Sequence, residues 1–138
     1  MSTGYGGRGT PQAPARRDAH FPGRAPIDSY GDGGFRFAGM SHRGSLLCLP
    51  SGIYGWDVRA GDAVSAAALE RVFAEAGEID QLLLGTGRGL DFPSEALRFA
   101  CRDVAIGLEA MSTGAAIRTY NILLGEGRRV AAALIATE

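Results

Sequence analysis

The chain has 138 residues, 46% of them hydrophobic and 21% charged, with a formal net charge of -1. Such a chain reads as one globular domain, and its near-neutral balance argues against nucleic acid as a partner. All 14 basic residues are arginine, which excludes both a Schiff-base lysine and a phosphate-loop lysine.

Residues 1–25 differ in kind from the rest. They are rich in Gly, Pro and Ala, with Arg8, Arg16, Arg17 and Arg24 against a single acid, Asp18. An acid-poor, Arg-bearing start resembles an organelle transit peptide, but Pro11, Pro14 and the glycines break the amphipathic helix such a peptide forms. A disordered tail is expected there, followed by one α/β domain over 26–138. From Ile27 to Val58, short β segments are punctuated by Gly33-Gly34, Gly44 and Gly52, which predicts an antiparallel meander extending or flanking a sheet.

A helix is expected next. Ser65 is its N-cap, Val64 and Leu69 stand at staple spacing, Leu69, Val72, Phe73 and Ala76 form its apolar stripe, and Gly77 suits its C′ position. Ile79 to Leu84 reads as a buried strand ending at Gly85. A second helix follows Pro93-Ser94, with Leu97, Ala100, Cys101 and Val104 as its stripe. Ile106 to Met111 is the next strand, 112–124 the next helix and Val130 to Ala136 the last strand. Strand, helix, strand, helix, strand predicts three parallel strands with right-handed crossovers, hence an α/β fold.

Gly85-Thr86-Gly87-Arg88-Gly89 follows a strand, as a dinucleotide-binding turn would. However, Leu90 occupies the third glycine position, the helix starts late, and Glu109 is weak support for a ribose-binding acid. A turn needing positive φ is the better reading, and no cofactor is expected. Parallel strands bring their carboxyl ends to one edge, so Gly85, Thr86, Gly87 and Arg88 should lie near Ser112, Thr113 and Gly114. That edge, with a helix N-terminus beside it, is the candidate pocket for a small ligand or anion. The plainer reading makes Thr113 a helix cap and Thr86 a satisfier of local backbone groups.

On the 112–124 helix, Ile117, Tyr120, Asn121 and Leu124 share a face. Asn121 should therefore be buried and bonded to a neighbouring loop's backbone, while Arg118 is placed to reach a carboxylate and Glu126 to pair with Arg128. Arg118, Thr119, Asn121, Glu126 and Arg128 read as a structural polar motif. Cys48 and Cys101 lie on apolar patterns, as buried free thiols in a reducing compartment would. Neither His20 nor His42 is placed to activate a nucleophile, no metal-ligand spacing occurs, and no catalytic residue is assigned. No apolar run approaches the roughly 20 residues that cross a bilayer.

Several of these residues resemble a known family. Gly85-Thr86-Gly87 after an apolar strand, then Thr113, Ala116, Thr119-Tyr120-Asn121, Leu123 and Glu126-Gly127-Arg128, followed by Val130 to Ile135, are similar to a small α/β family of unknown function. Its mitochondrial member is an assembly factor of respiratory complex I, NADH:ubiquinone oxidoreductase assembly factor 3. The similarity runs from about Ile27 to Ile135. It implies a three-layer β+α/β/α fold with a mixed sheet, and a binding or assembly role with a protein partner. Two departures stand out: relatives often carry Cys where Ile117 stands, and the mitochondrial pattern lacks Arg118. The expectation is a non-enzymatic, assembly-factor-like protein in a bacterial cytoplasm, with the mitochondrial matrix as the alternative location. A small-molecule or anion binder at the 85–88/112–114 edge is the alternative function, and a homo-oligomer is compatible with either.

Overall fold

The computed structural model describes residues 19–138, and the short N-terminal β segments within them divide between two sheets. Strands β1 (Ser29–Gly31), β2 (Gly34–Phe37) and β3 (Met40–Arg43) form a separate antiparallel sheet. Its two hairpin loops are Asp32-Gly33 and Ala38-Gly39, with both residues of each at positive φ. That is the type I′ geometry, whose twist matches the flanking strands. Strands β4 (Ser45–Leu49) and β5 (Gly52–Trp56) pair antiparallel and join the main sheet.

The main sheet has the order β5-β4-β8-β6-β7, where β6 is Gln81–Gly85, β7 Gly107–Met111 and β8 Val130–Leu134. Strands β7 and β8 both pair parallel with β6, and β4 pairs antiparallel with β8, so the sheet is mixed. The two crossovers run in opposite directions, through α2 (Glu95–Asp103) outward to β7 and through α3 (Thr113–Gly125) back across β6 to β8. Crossovers of one hand that reverse direction must place their helices on opposite faces. They do. Leu97 and Cys101 of α2 pack with Leu47, Leu82, Leu84, Ala131 and Ala133 on one face. Ala116, Ile117 and Tyr120 of α3 pack with Leu46, Cys48, Leu83, Ala132 and Leu134 on the other, joined there by Ile27, Phe35 and Phe37. The result is three layers, with the small sheet and α3 sharing one of them. Because β8 is buried on both faces, its sequence is a continuous apolar run.

Two elements depart from expectation. The helix expected after Ser65 is broken into a 3-10 turn (Ala67–Leu69), a short α1 (Glu70–Ala74) and a second 3-10 turn (Ala76–Glu78). Ser65 Oγ caps only the first turn, accepting from the Ala68 N–H at 3.2 Å. Gly77 lies inside the last turn and not at a left-handed C′ position. Across this stretch only Leu69 and Val72 are fully buried, too narrow a stripe to hold one continuous amphipathic helix. The boundary of the expected tail also moves. Residues 19–25 belong to the fold: Phe21 bridges Ile53, the His20 N–H donates to Ile53 O at 2.7 Å, and Arg24 Nη1 donates to Val130 O at 3.1 Å. The rest of that expected tail, 1–18, lies outside the described residues.

Helix α2 starts where Pro93-Ser94 marks it. Ser94 Oγ accepts from the Leu97 N–H at 3.1 Å, as an N-cap does. At its other end the Ile106 N–H donates to Cys101 O and the Ala105 N–H to Arg102 O, the Schellman pattern. Its C′ residue is Ala105 at φ 60°, where a Cβ is costly. Ala105→Gly should therefore raise the unfolding free energy by about 0.5–1 kcal/mol, after allowing for the entropy glycine adds to the unfolded chain. Urea denaturation checks this; a lower midpoint would contradict it.

Candidate functional site

Strand β6 sends its chain to α2 on one face of the sheet, while its neighbour β7 sends its chain to α3 on the other. Their carboxyl ends thus form the switch point at which open α/β sheets bind ligands. Here the two loops meet, as the parallel order requires, and close on each other. Gly85 makes the approach possible: a Cβ there would stand 3.0 Å from Thr113 Cα. Ser112, not Thr113, caps α3, its Oγ accepting from the Ala115 N–H at 3.3 Å. Thr113 is fully buried, and its hydroxyl donates to Ile135 O at 2.7 Å while accepting from the Gly87 N–H at 2.9 Å. Thr113 N–H in turn donates to Gly87 O at 2.8 Å. Gly87 holds φ 102°, which serves this turn. Gly114 is covered by the Tyr30 ring, whose hydroxyl packs against it. Thr86 Oγ1 lies 2.5 Å from Gly89 O and 3.2 Å from Met111 O, and accepts from the Asp91 N–H at 3.1 Å. Of the polar groups expected to face a ligand, the two threonine hydroxyls are spent on the chain's own backbone, and Arg88 donates to Glu138 O at 2.7 Å.

The polar motif of α3 divides by exposure. Half-buried Asn121 donates through Nδ2 to Ile27 O and accepts at Oδ1 from the Ile27 N–H, both at 2.9 Å. This reciprocal pair pins the 25–28 segment to α3 as a strand partner would. Glu126 and Arg128 approach to 3.6 Å, both more than half exposed, so the pair adds little stability. Arg128 also contributes its N–H to the helix end, donating to Leu123 O behind Gly127 at φ 74°. Thr119 is half-buried on α3. Arg118 is exposed and, among the described residues, makes no ion pair, against the expectation that it reaches a carboxylate. Glu109 is also exposed and accepts from Gln81 Nε2 at 3.1 Å.

Both cysteines are buried. Burial pushes the Cys48 thiol from 9.0 up to about 12, with a hydrogen bond to Tyr120 opposing the shift. The Tyr120 phenol is also pushed up, chiefly by burial and further by Cys48, while Arg24 opposes. A thiol so held stays protonated at neutral pH and is no nucleophile there. The histidines, remote in sequence, come together: their ring centroids lie 4.6 Å apart beside Gly55.

An open cleft of about 950 Å³ lies one step along the same sheet edge. Since β5 is antiparallel to β4, and β4 to β8, the ends of β5, β8 and β6 all emerge here. The cleft is lined by Arg43 at the β3–β4 corner, by Asp57 and Arg59 after β5, and by Thr86, Gly87, Arg88 and Asp91 after β6. The 136–138 segment completes its lining. Three of the expected pocket residues, Thr86, Gly87 and Arg88, thus line an open cavity, while Ser112, Thr113 and Gly114 do not. Arg43, Asp57, Arg59 and Asp91 escaped the sequence reading. Counting two antiparallel steps from β8 to β5 would have brought the 57–61 loop to this edge.

The profile of a family described as protein of unknown function (DUF498/DUF598) matches residues 27–135. The chain belongs to that family. Within similar proteins, an uncharacterised protein of Rhodobacter capsulatus is 40% identical over 121 residues, covering 88% of this chain and 92% of that one. The NADH dehydrogenase [ubiquinone] 1 alpha subcomplex assembly factor 3 of Mus musculus is 29% identical over 117 residues, covering 85% of this chain. The match spans 63% of the mouse protein's length. A crystal structure of an outer membrane protein from Bartonella henselae superposes with TM-score 0.83 at 54% identity, covering 86% of this chain and 100% of that one. Among the described residues, no helix is long and apolar enough to cross a membrane.

Two measurements test this site. Thr113→Val leaves a buried N–H and a buried carbonyl without their partner and should cost about 2–4 kcal/mol, whereas Thr113→Ser should cost less than half of that; equal losses would assign the effect to packing. For Cys48, the folded thiol keeps its proton between pH 9 and about 12, where the unfolded thiol loses it. The unfolded state then binds fewer protons, so stability should fall as pH rises above 9, by up to about 1.4 kcal/mol per unit. In Cys48→Ala the decline should still begin near pH 9, because burial also raises the Cys101 thiol, but it should be shallower than in the parent until unfolded Tyr120 titrates near pH 10.0. An unchanged slope between about pH 9 and 10 would remove Cys48 as a source.

Proposed function

We propose that this chain acts without turnover, as a protein-binding factor in the assembly of a respiratory complex. The observation that carries the reading is the similarity to the mouse complex I assembly factor over 117 residues, beside a family match across 27–135 that takes in the βαβαβ unit and both closing loops. The chemistry of the interior supports it. Thr113 and Asn121 are bonded to the chain's own backbone, and Cys48 is held as a neutral thiol. We place its action in a bacterial cytoplasm, at the membrane where such a complex is built. The alternative, a small-molecule or anion site between Gly85–Arg88 and Ser112–Gly114, has less support because the Thr86, Ser112 and Thr113 hydroxyls are bonded to the chain's own backbone.

Deleting the gene should lower the amount of intact complex I on native gels at least several-fold, and the full chain supplied in trans should restore it. Normal assembly in the deletion strain would overturn the proposal. A melting-temperature rise with inorganic phosphate or a nucleotide, lost in Arg88→Ala, would favour the alternative.

A further inference from the structure

The loop that joins β6 to α2 exposes two large apolar side chains. Phe92 is 79% exposed and Leu90 49%. Between and before them, Asp91 and Arg88 line the cleft. This loop is pinned, because Thr86 Oγ1 ties Gly89 O and the Asp91 N–H into one turn. Its apolar residues are thus presented by a fixed backbone, which lowers the ordering cost of a contact made there. Other exposed apolar side chains differ. Phe99 has the Arg102 guanidinium 5.3 Å from its ring centre, and Ile122 stands on α3, which does not border the cleft.

The cleft beside this rim carries Arg43, Arg59 and Arg88 together with Asp57, Asp91 and Glu138. Among the described residues none of the six forms an ion pair; the two pairs found are Arg128–Glu126 and Arg129–Asp80. Arg88 donates to the main-chain oxygen of Glu138 at 2.7 Å and Arg43 to the Asp32 carbonyl at 3.3 Å. An anion entering here meets three carboxylates, and a cation meets three guanidiniums. A ligand with both signs finds partners for each. A small zwitterion would answer the charges but leave Leu90 and Phe92 uncovered.

We infer that a partner protein docks across the cleft and its 86–92 rim through an extended segment carrying an acidic residue, a basic residue and an apolar anchor. The inference rests on the assembly reading, since it supplies the surface by which such a factor holds its partner. Aromatic anchors and arginines beside a desolvated pocket are the residues that carry most interface energy.

The test is photo-cross-linking in living cells of the source organism, with the full chain carrying p-benzoylphenylalanine in place of Phe92 or, as a control, Ile122. Position 92 should give an adduct and position 122 none. Arg59→Glu with Arg88→Glu should cut the adduct at least tenfold without lowering the melting temperature. Mass spectrometry should place the cross-link in a segment that holds both charge signs and an apolar residue. Adducts only from position 122, none from either position, indifference to charge reversal, or a cross-linked segment of one sign would each overturn the docking surface. Its failure is separable from that of the assembly reading. If deletion lowers complex I while position 92 stays silent, the assembly role stands and this surface does not.

Discussion

A single buried hydroxyl sets the geometry of the sheet edge where β6, β7 and β8 end. Thr113 belongs to the first turn of α3, yet its side chain answers to the ends of two strands, taking the Gly87 N–H after β6 and giving its proton to Ile135 O after β8. Both backbone groups would otherwise be buried without partners, which costs far more than a single hydrogen bond contributes. A hydroxyl suits the position because it both donates and accepts within the space that Gly85 leaves open. Ser112 makes this division of labour workable. By taking the capping role, it frees Thr113 to turn inward.

Closing the switch point has a consequence for where binding can occur. In an open α/β sheet the crevice between strands leading to opposite faces is the natural pocket. Here that crevice is filled by the chain's own bonds, and open space survives on the side where the antiparallel extension was added. Strands β4 and β5 carry the 57–61 loop to this edge, and the 136–138 segment ties the small sheet and β4 together there. Gly33 N–H donates to Thr137 O, and Ala136 N–H to Ser45 Oγ. The small sheet, which looks like an appendage, is thus part of the cleft's construction through Arg43 and Gly33.

What the sequence disclosed follows from the range of the interactions involved. Helix α2 was legible because Ser94 and the Leu97, Ala100, Cys101, Val104 stripe are local signals, though Val104 ends exposed at the C-cap; the βαβαβ order was legible because β6 and β8 are apolar runs and β7 an alternating one. Helical periodicity set Asn121 among apolar neighbours and predicted burial; the residue is half-buried, with its amide bonded to the Ile27 backbone. Thr113 was misread as a cap because Ser112 and Thr113 are equally able to cap, and the choice is made by two backbone groups far away in the chain. Residues 19–25 were misread for the same reason: Arg24 finds Val130, and Phe21 finds Ile53, across separations that composition cannot express. The alanines after Ser65 favour helix locally, yet with only Leu69 and Val72 buried, tertiary packing supports no more than short turns.

The distribution of satisfied and unsatisfied groups bears on the kind of work such a scaffold suits. Catalysis draws on groups whose interactions strengthen as the transition state forms, so they must be free to change partners. Thr113 and Asn121 are committed to main-chain partners on both their donor and acceptor sides, and a substrate could recruit either only by breaking the sheet edge or releasing the 25–28 segment. The 86–92 rim has the opposite character. Phe92 and Leu90 give up only water when something covers them, and burial of apolar surface is favourable in proportion to its area. The charges of the cleft contribute differently, since desolvating an ion is costly unless it meets a partner. An arriving surface that mispairs them is penalised, and one that pairs them is held. Affinity from the rim and discrimination from the cleft are separate demands, met by the pinned 86–92 loop and by the segments that face it across the cleft.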